Sequence, residues 1–299
     1  RVAVVQANVY TRGVDPPEAR SAIFKDYRAL SREAARAEPQ LIAWPAAAVT
    51  GDITKNRLLA RTLGRMASEL ETPLLIGSTG QEKSMPGQRQ RPVANSAFLF
   101  ASDGGIVDRY DKIQLLPFNE YIPLRGVLRW PAWVTGNVID ARPGDRRTVF
   151  QLPRGARFGL LICWENLFPD GFRRTAAQGV DFMVSMTNEA FTEDPGAHQQ
   201  QLEMNAYRAI ENGVSVVRTS TTGVSAVFDP HGRILTRVED ASGNTLEVTG
   251  WRVVEVPLRS ARTLYTRYGD WLPLAGLLGI AAVTVRGRRF PSRNEARAP

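Results

Sequence analysis

Short apolar runs recur between helical segments, and this alternation constrains the fold more than any other feature of the chain. The runs are rich in β-branched residues and too short for buried helices, so we interpret them as buried strands. They cover residues 1–9, 41–44, 73–77, 158–163 and 181–187. The segments predicted as helices are residues 17–37, 56–70, 169–178 and 196–212. Strands that alternate with helices predict an α/β fold.

Hairpin signals indicate that the sheets are mixed rather than purely parallel. Asp103-Gly104-Gly105 lies between two strand-like runs and is typical of a hairpin turn. Further strands are predicted at residues 214–219, 224–229 and 246–256, with a turn at 230–232. We therefore expect two stacked mixed sheets with helices outside. Residues 80–92 are predicted to be an exposed loop, and residues 113–146 a long irregular segment of the kind that is usually functional or flexible.

Size and charge limit the classes of function. The 299 residues are 43% hydrophobic, which suffices for one large domain. The net charge of +8 is partly local to the C-terminus, where it comes from Arg286, Arg288, Arg289, Arg293 and Arg297. A basic stretch after an apolar run is typical of a cytoplasmic flank or a contact with anionic lipid. We therefore predict no nucleic-acid partner.

The apolar run Trp271–Val285 carries no charge. As a helix it would be about 22 Å long, short of the roughly 30 Å hydrocarbon core of a bilayer. It is either a buried or interfacial helix, or part of a membrane span. Aromatic residues at its entrance favour membrane contact, with the C-terminus in the cytoplasm and the main domain outside; they are Tyr265, Tyr268 and Trp271. The predicted units are a main domain 1–262, an apolar helix 263–285 and a basic tail 286–299. Because the chain begins at Arg1 rather than Met, we expect a fragment or processed form.

Cys163 is the single cysteine of the chain, so no intrachain disulfide can form. A lone cysteine is commonly a small buried hydrophobic residue. Cys163, however, ends an apolar strand, and α/β folds place their active sites at the carboxyl ends of strands. Pattern alone leaves both interpretations open.

Lys112 and Glu120 lie in the segment that follows the hairpin. A lysine beside a cysteine favours the thiolate and stabilises a developing oxyanion. The alternative is an ordinary solvated lysine. Glu120 would orient Lys112, act on a substrate, or cap a turn.

No metal site or cofactor is predicted. The two histidines, His198 and His231, are far in sequence from Cys163, and both are expected at the surface. No phosphate loop or dinucleotide fingerprint is present.

Several segments together resemble the nitrilase (carbon–nitrogen hydrolase) superfamily, which has an α-β-β-α sandwich and a Glu-Lys-Cys triad at the ends of different strands. The two most specific are YDKIQLLPFNEYIPL, which holds Lys112, and GLLICWENLFPD, which holds Cys163. The others, in order, are LIAWPAAA, MTNEAF, RAIENGVSVVRTSTTGVSAVFDPHGRIL and TLYTRYGDWLP. Within the superfamily the chain is most similar to the bacterial apolipoprotein N-acyltransferases, because PFNEYIPLR, STTGVSAVFDPHGRI and YTRYGDW before an apolar helix look like theirs.

The resemblance implies an acyltransferase without a cofactor. Cys163 would take an acyl chain from a phospholipid as a thioester and pass it to the N-terminal amine of a diacylglyceryl-modified lipoprotein. Lys112 would stabilise the oxyanion together with backbone N–H groups near Trp164. Glu120 would be a second carboxylate near the lysine, and Glu165 would shape the pocket. The family also implies the bacterial inner membrane, with this domain on the periplasmic side and membrane helices upstream of it.

One position departs from the family pattern. The base glutamate of the family follows a Trp-Pro pair, and here Ala46 follows Trp44-Pro45. A general base is worth about 10²–10⁴-fold in rate, so we expect this form to be inactive or strongly impaired. Ala46 is either an introduced substitution or the mark of a natural pseudoenzyme. Asp52 and Glu189 are conceivable substitutes for the base, but the spacing supports neither.

Three functions therefore compete. The first is an N-acyltransferase domain that acts on lipoproteins at a membrane. The second is a soluble carbon–nitrogen hydrolase that cleaves a small amide or nitrile. The third is a non-catalytic binding module of the same fold, for which Ala46 is the main support.

Overall fold

The structure is a computed structural model that describes residues 1–10, 17–79, 94–136, 138, 140–190, 192, 194–259 and 261–289. The predicted loop at residues 80–92 lies outside the described residues. So does most of the predicted basic tail, from residue 290 onward.

The first sheet contains seven strands within the described residues. Its strands are β1 (Val2–Gln6), β2 (Leu41–Ala43), β3 (Val49–Thr50), β4 (Leu74–Thr79), β5 (Asn95–Phe100), β6 (Ile106–Asp111) and β13 (Gly250–Val254). The strand order is β13-β1-β2-β4-β5-β6, with β3 paired to β4. β1, β2 and β4 run parallel, whereas β5, β6 and β13 pair antiparallel with their neighbours. The sheet is mixed, as predicted.

The second sheet has the order β12-β11-β10-β9-β8-β7 in the described part of the chain. Its strands are β7 (Val149–Gln151), β8 (Arg157–Ile162), β9 (Phe182–Thr187), β10 (Ser215–Ser220), β11 (Ala226–Phe228) and β12 (Ile234–Arg237). The three central strands, β8, β9 and β10, are parallel. Their carboxyl ends therefore meet at one edge of the sheet. Cys163 directly follows β8 at this edge, and Thr187 is the last residue of β9.

The alternation of side chains explains why the strands read as continuous apolar runs. In β1, Val2 and Val4 point into a core between the two sheets, whereas Ala3 and Val5 point into an outer core. In β8, Leu160 and Ile162 enter the same central core and Leu161 enters a third core on the far side. A strand that is covered on both faces needs apolar side chains at every position, so its sequence does not alternate between apolar and polar residues.

Helices cover the outer face of each sheet. The helices of the described residues are α1 (Pro17–Ala35), α2 (Arg57–Glu69), α3 (Ala132–Thr135), α4 (Pro169–Ala176), α5 (Pro195–Asn212), α6 (Leu264–Tyr268) and α7 (Trp271–Arg289), of which four cover the sheets. α1 and α2 pack on the first sheet, and α4 and α5 on the second. α5 begins at the N-cap Asp194, which accepts from the Gly196 N–H, and ends at Gly213 in the left-handed region. The four layers form the predicted α-β-β-α sandwich.

The short or exposed strands were harder to predict. β3, β7 and β12 have no counterpart in the sequence prediction, and the last strand is limited to Gly250–Val254 rather than residues 246–256. β12 alternates between exposed and half-buried residues, so it lacks the apolar run that marks the central strands.

The expected membrane span is not supported. The segment does form a helix, α7, whose side chains are exposed from Trp271 to Val285. Among the described residues, no helix is both long enough and apolar enough to cross a bilayer. The reason is the length of the uncharged run, because arginines enter the sequence at position 286 after about 22 Å of helix.

Candidate active site

Cys163 lies at a sharp turn at the end of β8. Its φ of +56° falls in the left-handed region that residues with a Cβ seldom adopt. It opens a short 3-10 helix, Cys163–Leu167, which packs against α5. The side chain is partly exposed, and its Sγ lies 3.9 Å from the hydroxyl of Thr187 at the end of β9. Such strained conformations concentrate at functional sites.

Lys112 is a buried cation, which excludes the interpretation as a solvated surface lysine. Only 1% of the residue is exposed. Its Nζ donates to both carboxylate oxygens of Glu120, at 2.9 Å to Oε1 and 2.7 Å to Oε2. Glu120 Oε2 also accepts from the Leu116 N–H at 2.8 Å. Glu120 therefore pairs with Lys112 and is bonded to the backbone of the loop that follows β6.

Glu165 joins the lysine segment to the cysteine turn. Its carboxylate is buried and accepts hydrogen bonds from the N–H groups of Ile113 and Gln114, both at 2.9 Å. It also accepts from the Tyr110 hydroxyl at 2.9 Å and from the Ile162 N–H at 2.8 Å. Three of these donors lie within two residues of Lys112, and the fourth, Ile162, directly precedes Cys163. Glu165 therefore fixes the lysine segment and the cysteine turn relative to each other.

The electrostatics of this region reflect its burial. Burial raises the pKa of the Glu165 carboxyl above its ordinary value, although the N–H donors, Tyr110 and the nearby Lys112 charge favour ionisation. Burial and the adjacent Glu165 also raise the pKa of the Tyr110 phenol. The tyrosine therefore remains a hydrogen-bond donor at neutral pH.

Ala46 contributes only a methyl group to the core between the two sheets. Ala46 is 1% exposed and belongs to the core between the sheets, which also contains Ile162 and Met186 and against which Cys163 packs. Its backbone passes close to Gly77 of β4, where a Cβ would collide with Pro45 O and Ala46 Cα. Position 46 and Cys163 thus adjoin the same core cluster, and position 46 carries no carboxylate.

Asp52 and Glu189 are each committed to other partners. Asp52 accepts from Thr54 and forms an ion pair with Lys55 at 3.0 Å. Glu189 Oε1 lies 2.7 Å from Arg218 Nη2, and its Oε2 accepts from the Ser220 hydroxyl at 2.7 Å. These pairings give no support to either residue as a substitute base.

Glu189 and Arg218 form a second buried ionic cluster with His198. Arg218 is fully buried, and His198 Nδ1 lies 3.6 Å from Glu189 Oε1. Burial opposes ionisation of Glu189, but Arg218, His198 and Ser220 outweigh it and lower the pKa of the carboxyl. The contact with Glu189 raises the pKa of His198. The prediction of a surface His198 is therefore wrong, because only 8% of it is exposed; His231 is exposed as predicted.

The remaining site residues divide into predicted and missed ones. Trp164 is half-buried between Cys163 and Glu165. Sequence reasoning missed Tyr110, Thr187 and Gln201. A signal existed for Thr187, because it ends a strand that runs parallel to the strand before Cys163. In the structure Ile162 pairs with Met186, so the residues that follow them, Cys163 and Thr187, lie side by side. Within the described ranges no group of three His, Cys, Asp or Glu side chains could hold a metal ion.

The sequence of residues 1–261 matches the family model for carbon-nitrogen hydrolases. The chain belongs to the carbon–nitrogen hydrolase family. Similar curated proteins include the apolipoprotein N-acyltransferase of Geobacter metallireducens, which is 32% identical over 96% of this chain and 54% of its own length. The apolipoprotein N-acyltransferase of Agrobacterium fabrum is 35% identical over 77% of this chain and 44% of its own length. The chain thus spans about half the length of these relatives.

Solved structures of the family share the fold. A cysteine-to-alanine mutant of an amidase from Nesterenkonia AN1 has a TM-score of 0.63 at 20% identity, over 86% of this chain and 90% of that one. A glutamate-to-glutamine mutant of the same amidase, with the acetamide moiety of fluoroacetamide added covalently at the active site cysteine, has a TM-score of 0.62 at 18% identity. It covers 93% of this chain and 95% of the other. These likenesses establish the nitrilase-like sandwich with two mixed sheets.

Proposed function

We propose that this carbon–nitrogen hydrolase domain is the acyl-transferring part of an apolipoprotein N-acyltransferase and that Ala46 impairs it. The observation that carries the proposal is the buried Lys112–Glu120 pair, which Glu165 ties to the Cys163 turn. A fixed cation on a segment that is tied to a strand-end thiol suits acyl transfer through a thioester, because the cation can stabilise the oxyanion. The names of the curated relatives supply the acceptor, an apolipoprotein that is N-acylated. The phospholipid donor is part of the proposal and follows from the resemblance to that family.

In the first half-reaction, Cys163 Sγ attacks the carbonyl carbon of a phospholipid ester. The S–C bond forms and the carbonyl oxygen becomes an oxyanion, next to which Lys112 would lie, helped by backbone N–H groups near Trp164. The ester C–O bond then breaks. The proton lost by the thiol ends on the alcohol oxygen of the departing lysophospholipid, and the acyl chain remains on sulfur as a thioester.

In the second half-reaction, the free amine of the lipoprotein's N-terminal cysteine attacks the thioester carbonyl. An amide C–N bond forms and the C–S bond breaks. One amine proton returns to sulfur, so Cys163 is regenerated as a thiol. Both halves need a proton acceptor near the sulfur, and position 46 carries a methyl group in its place. We expect turnover about 10²–10⁴-fold below that of a form with glutamate at 46.

Exposed apolar side chains support a lipid-facing surface. The irregular segment after β6 exposes large hydrophobic residues, including Leu124, Val127, Leu128 and Trp133. α7 exposes a second set, including Leu274, Leu277, Leu278, Ile280 and Val283. Exposed apolar patches mark membrane or partner contacts. We propose that these two surfaces meet the extracytoplasmic face of a bacterial membrane, where the acyl donor resides.

A second candidate is hydrolysis of a small amide, with water in place of the amine as acceptor. The structural likeness to the Nesterenkonia amidase favours it, because the fold accommodates that chemistry. A third candidate, a non-catalytic binding module, is favoured by Ala46 alone. The three candidates predict different outcomes for one set of variants: an acylated amine, a hydrolysed amide, or no reaction.

The test is intact-mass spectrometry of this chain and of Ala46→Glu after incubation with phospholipid micelles. We expect Ala46→Glu to gain the mass of one acyl chain and this chain to acylate far more slowly. Ala46→Gln is the matched control, because it resembles glutamate in size but is not a base. Ala46→Glu combined with Cys163→Ala must lose the adduct.

The acceptor separates the candidates. Loss of the adduct on addition of a diacylated lipopeptide, with acylation of its amine, supports the transferase. Release of ammonia from a short amide without any phospholipid adduct would support the amidase. No adduct and no hydrolysis on Ala46→Glu would overturn both enzymatic candidates for this chain.

A further inference from the structure

The hydroxyl of Thr187 is a polar contact of the Cys163 sulfur that the mechanism above does not use. Thr187 Oγ1 lies 3.9 Å from Cys163 Sγ. Thr187 is fully buried at the end of β9, whose register with β8 places it beside the cysteine turn. Because it contacts the sulfur directly, this hydroxyl is positioned to respond to a charge on the sulfur.

The same hydroxyl has a second acceptor. Gln201 Oε1 on α5 lies 3.4 Å from Thr187 Oγ1, and Gln201 is 5% exposed. A threonine hydroxyl carries one proton, so it can donate to only one of the two acceptors at a time. A neutral thiol is a weak acceptor, which favours the amide oxygen. A thiolate is charged and attracts the proton more strongly than a neutral amide.

We propose that Thr187 is a switchable hydrogen-bond donor that turns from Gln201 to Cys163 when the thiol ionises. In this chain the switch stabilises the thiolate. Gln201 acts as a positioning residue that holds the hydroxyl in place and competes for its proton. The inference rests on the proposed role of Cys163 as nucleophile, but its test needs no acyl transfer and so fails or succeeds independently of it.

Charged groups face this region from several elements. The Lys112–Glu120 pair lies in the segment after β6, and Glu165 in the turn after β8. Glu189 follows β9, Arg218 lies on β10 and His198 on α5. All of these remain in every variant named below. Any change in the ionisation of Cys163 between the parent and a variant therefore comes from the altered Thr187 hydroxyl or the altered Gln201 amide.

The experiment is the rate of alkylation by iodoacetamide as a function of pH, followed by intact mass. Cys163 is the only cysteine, so the mass reports one sulfur. Thr187→Val removes the hydroxyl at nearly constant shape. It should slow alkylation at neutral pH by about three- to ten-fold and move the pH profile upward, with the same limiting rate at high pH. Thr187→Ser should stay within about two-fold of the parent.

Gln201→Leu should act in the opposite direction, because the hydroxyl loses the acceptor that competes with the sulfur. We expect alkylation at neutral pH to be faster than in the parent by up to about five-fold. A general loosening of the site would not give opposite signs for two neighbouring variants. Thr175→Val is the matched control, because Thr175 is equally buried but donates to Gly171 O on α4. It should leave the pH profile unchanged.

Two results would overturn the proposal. An unchanged pH profile in Thr187→Val, with a urea midpoint showing that the variant is folded, would exclude the hydroxyl as a partner of the thiolate. A slower reaction in Gln201→Leu would exclude the competition, because the amide would then assist the sulfur. If Thr187→Val failed to fold, Thr187→Ala would supply the same measurement.

Discussion

Glu165 and Glu189 are two buried carboxylates that stand behind neighbouring strand ends of the second sheet, and they are stabilised in opposite ways. Glu165 accepts from three backbone N–H groups and from the Tyr110 hydroxyl, with Lys112 further off. Glu189 lies 2.7 Å from the Arg218 guanidinium. The pKa of Glu165 is raised because burial dominates, whereas that of Glu189 is lowered because Arg218, His198 and Ser220 outweigh burial.

The difference shows what each cluster does. Glu165 connects two loops that carry candidate catalytic residues, and its donors are neutral groups that must keep their positions. Glu189 neutralises a fully buried cation, and its removal would leave that charge unpaired. We therefore expect the Glu189 cluster to matter more for stability and the Glu165 cluster to matter more for the geometry around Cys163.

Glu189→Gln should give the largest loss of stability. Arg218 would remain buried without a counter-charge, which costs about 3–5 kcal/mol in comparable pairs. Urea denaturation of the parent and the variant measures the difference. Ser220→Ala removes the neutral donor to the same carboxylate and the acceptor of the Gly223 N–H, and it should cost about 1–2 kcal/mol. A loss below about 1 kcal/mol in Glu189→Gln would mean that Arg218 finds another partner.

Glu165→Gln should cost less, about 1–3 kcal/mol, because an amide presents an N–H group to at least one of the four donors. The pH dependence distinguishes the two variants. The raised pKa of Glu165 means that its contribution is present below about pH 4.5 and lost as pH rises through the folded value. The lowered pKa of Glu189 means that its contribution is present above about pH 4.5 and lost as pH falls through the folded value.

Thermal unfolding over an acid pH series tests this contrast. The gap in Tm between the parent and Glu165→Gln should widen on acidification, whereas the gap for Glu189→Gln should shrink. If the gap in Tm changed with pH in the same direction for both variants, the two carboxyls would not have opposite pKa shifts. The contrast between Glu165 and Glu189 would then be wrong.

His198→Gln should give the smallest effect. The contact with Glu189 raises the pKa of His198, so its contribution is fully present below about pH 6.5 and is lost as pH rises through the folded value. We expect a loss of about 1 kcal/mol or less at pH 6, which disappears above neutral pH. Urea midpoints at pH 6 and pH 8.5 measure it, with His231→Gln as the exposed control. An equal loss at both values of pH would mean that His198 contributes through packing alone.

Some features of this protein were predictable because they depend on local patterns. The apolar runs at β1, β4 and β8 specified buried strands, and Asp103-Gly104-Gly105 specified the hairpin between β5 and β6. The prediction that Ala46 departs from the family pattern depends on the Trp44-Pro45 pair before it, which the resemblance uses to locate the base. β12 could not be predicted, because half of its residues face solvent and its pattern resembles that of a loop.

The sequence by itself determined the α/β class, the family and the candidate residues Lys112, Glu120 and Cys163. These follow from the order of residues along the chain. Only the tertiary structure decided that Lys112 is a buried cation, that Glu165 connects two segments about 50 residues apart, and that Thr187 contacts Cys163. The physical reason is that burial and hydrogen bonding between distant segments depend on which strands become neighbours, and strand pairing is a property of the whole sheet.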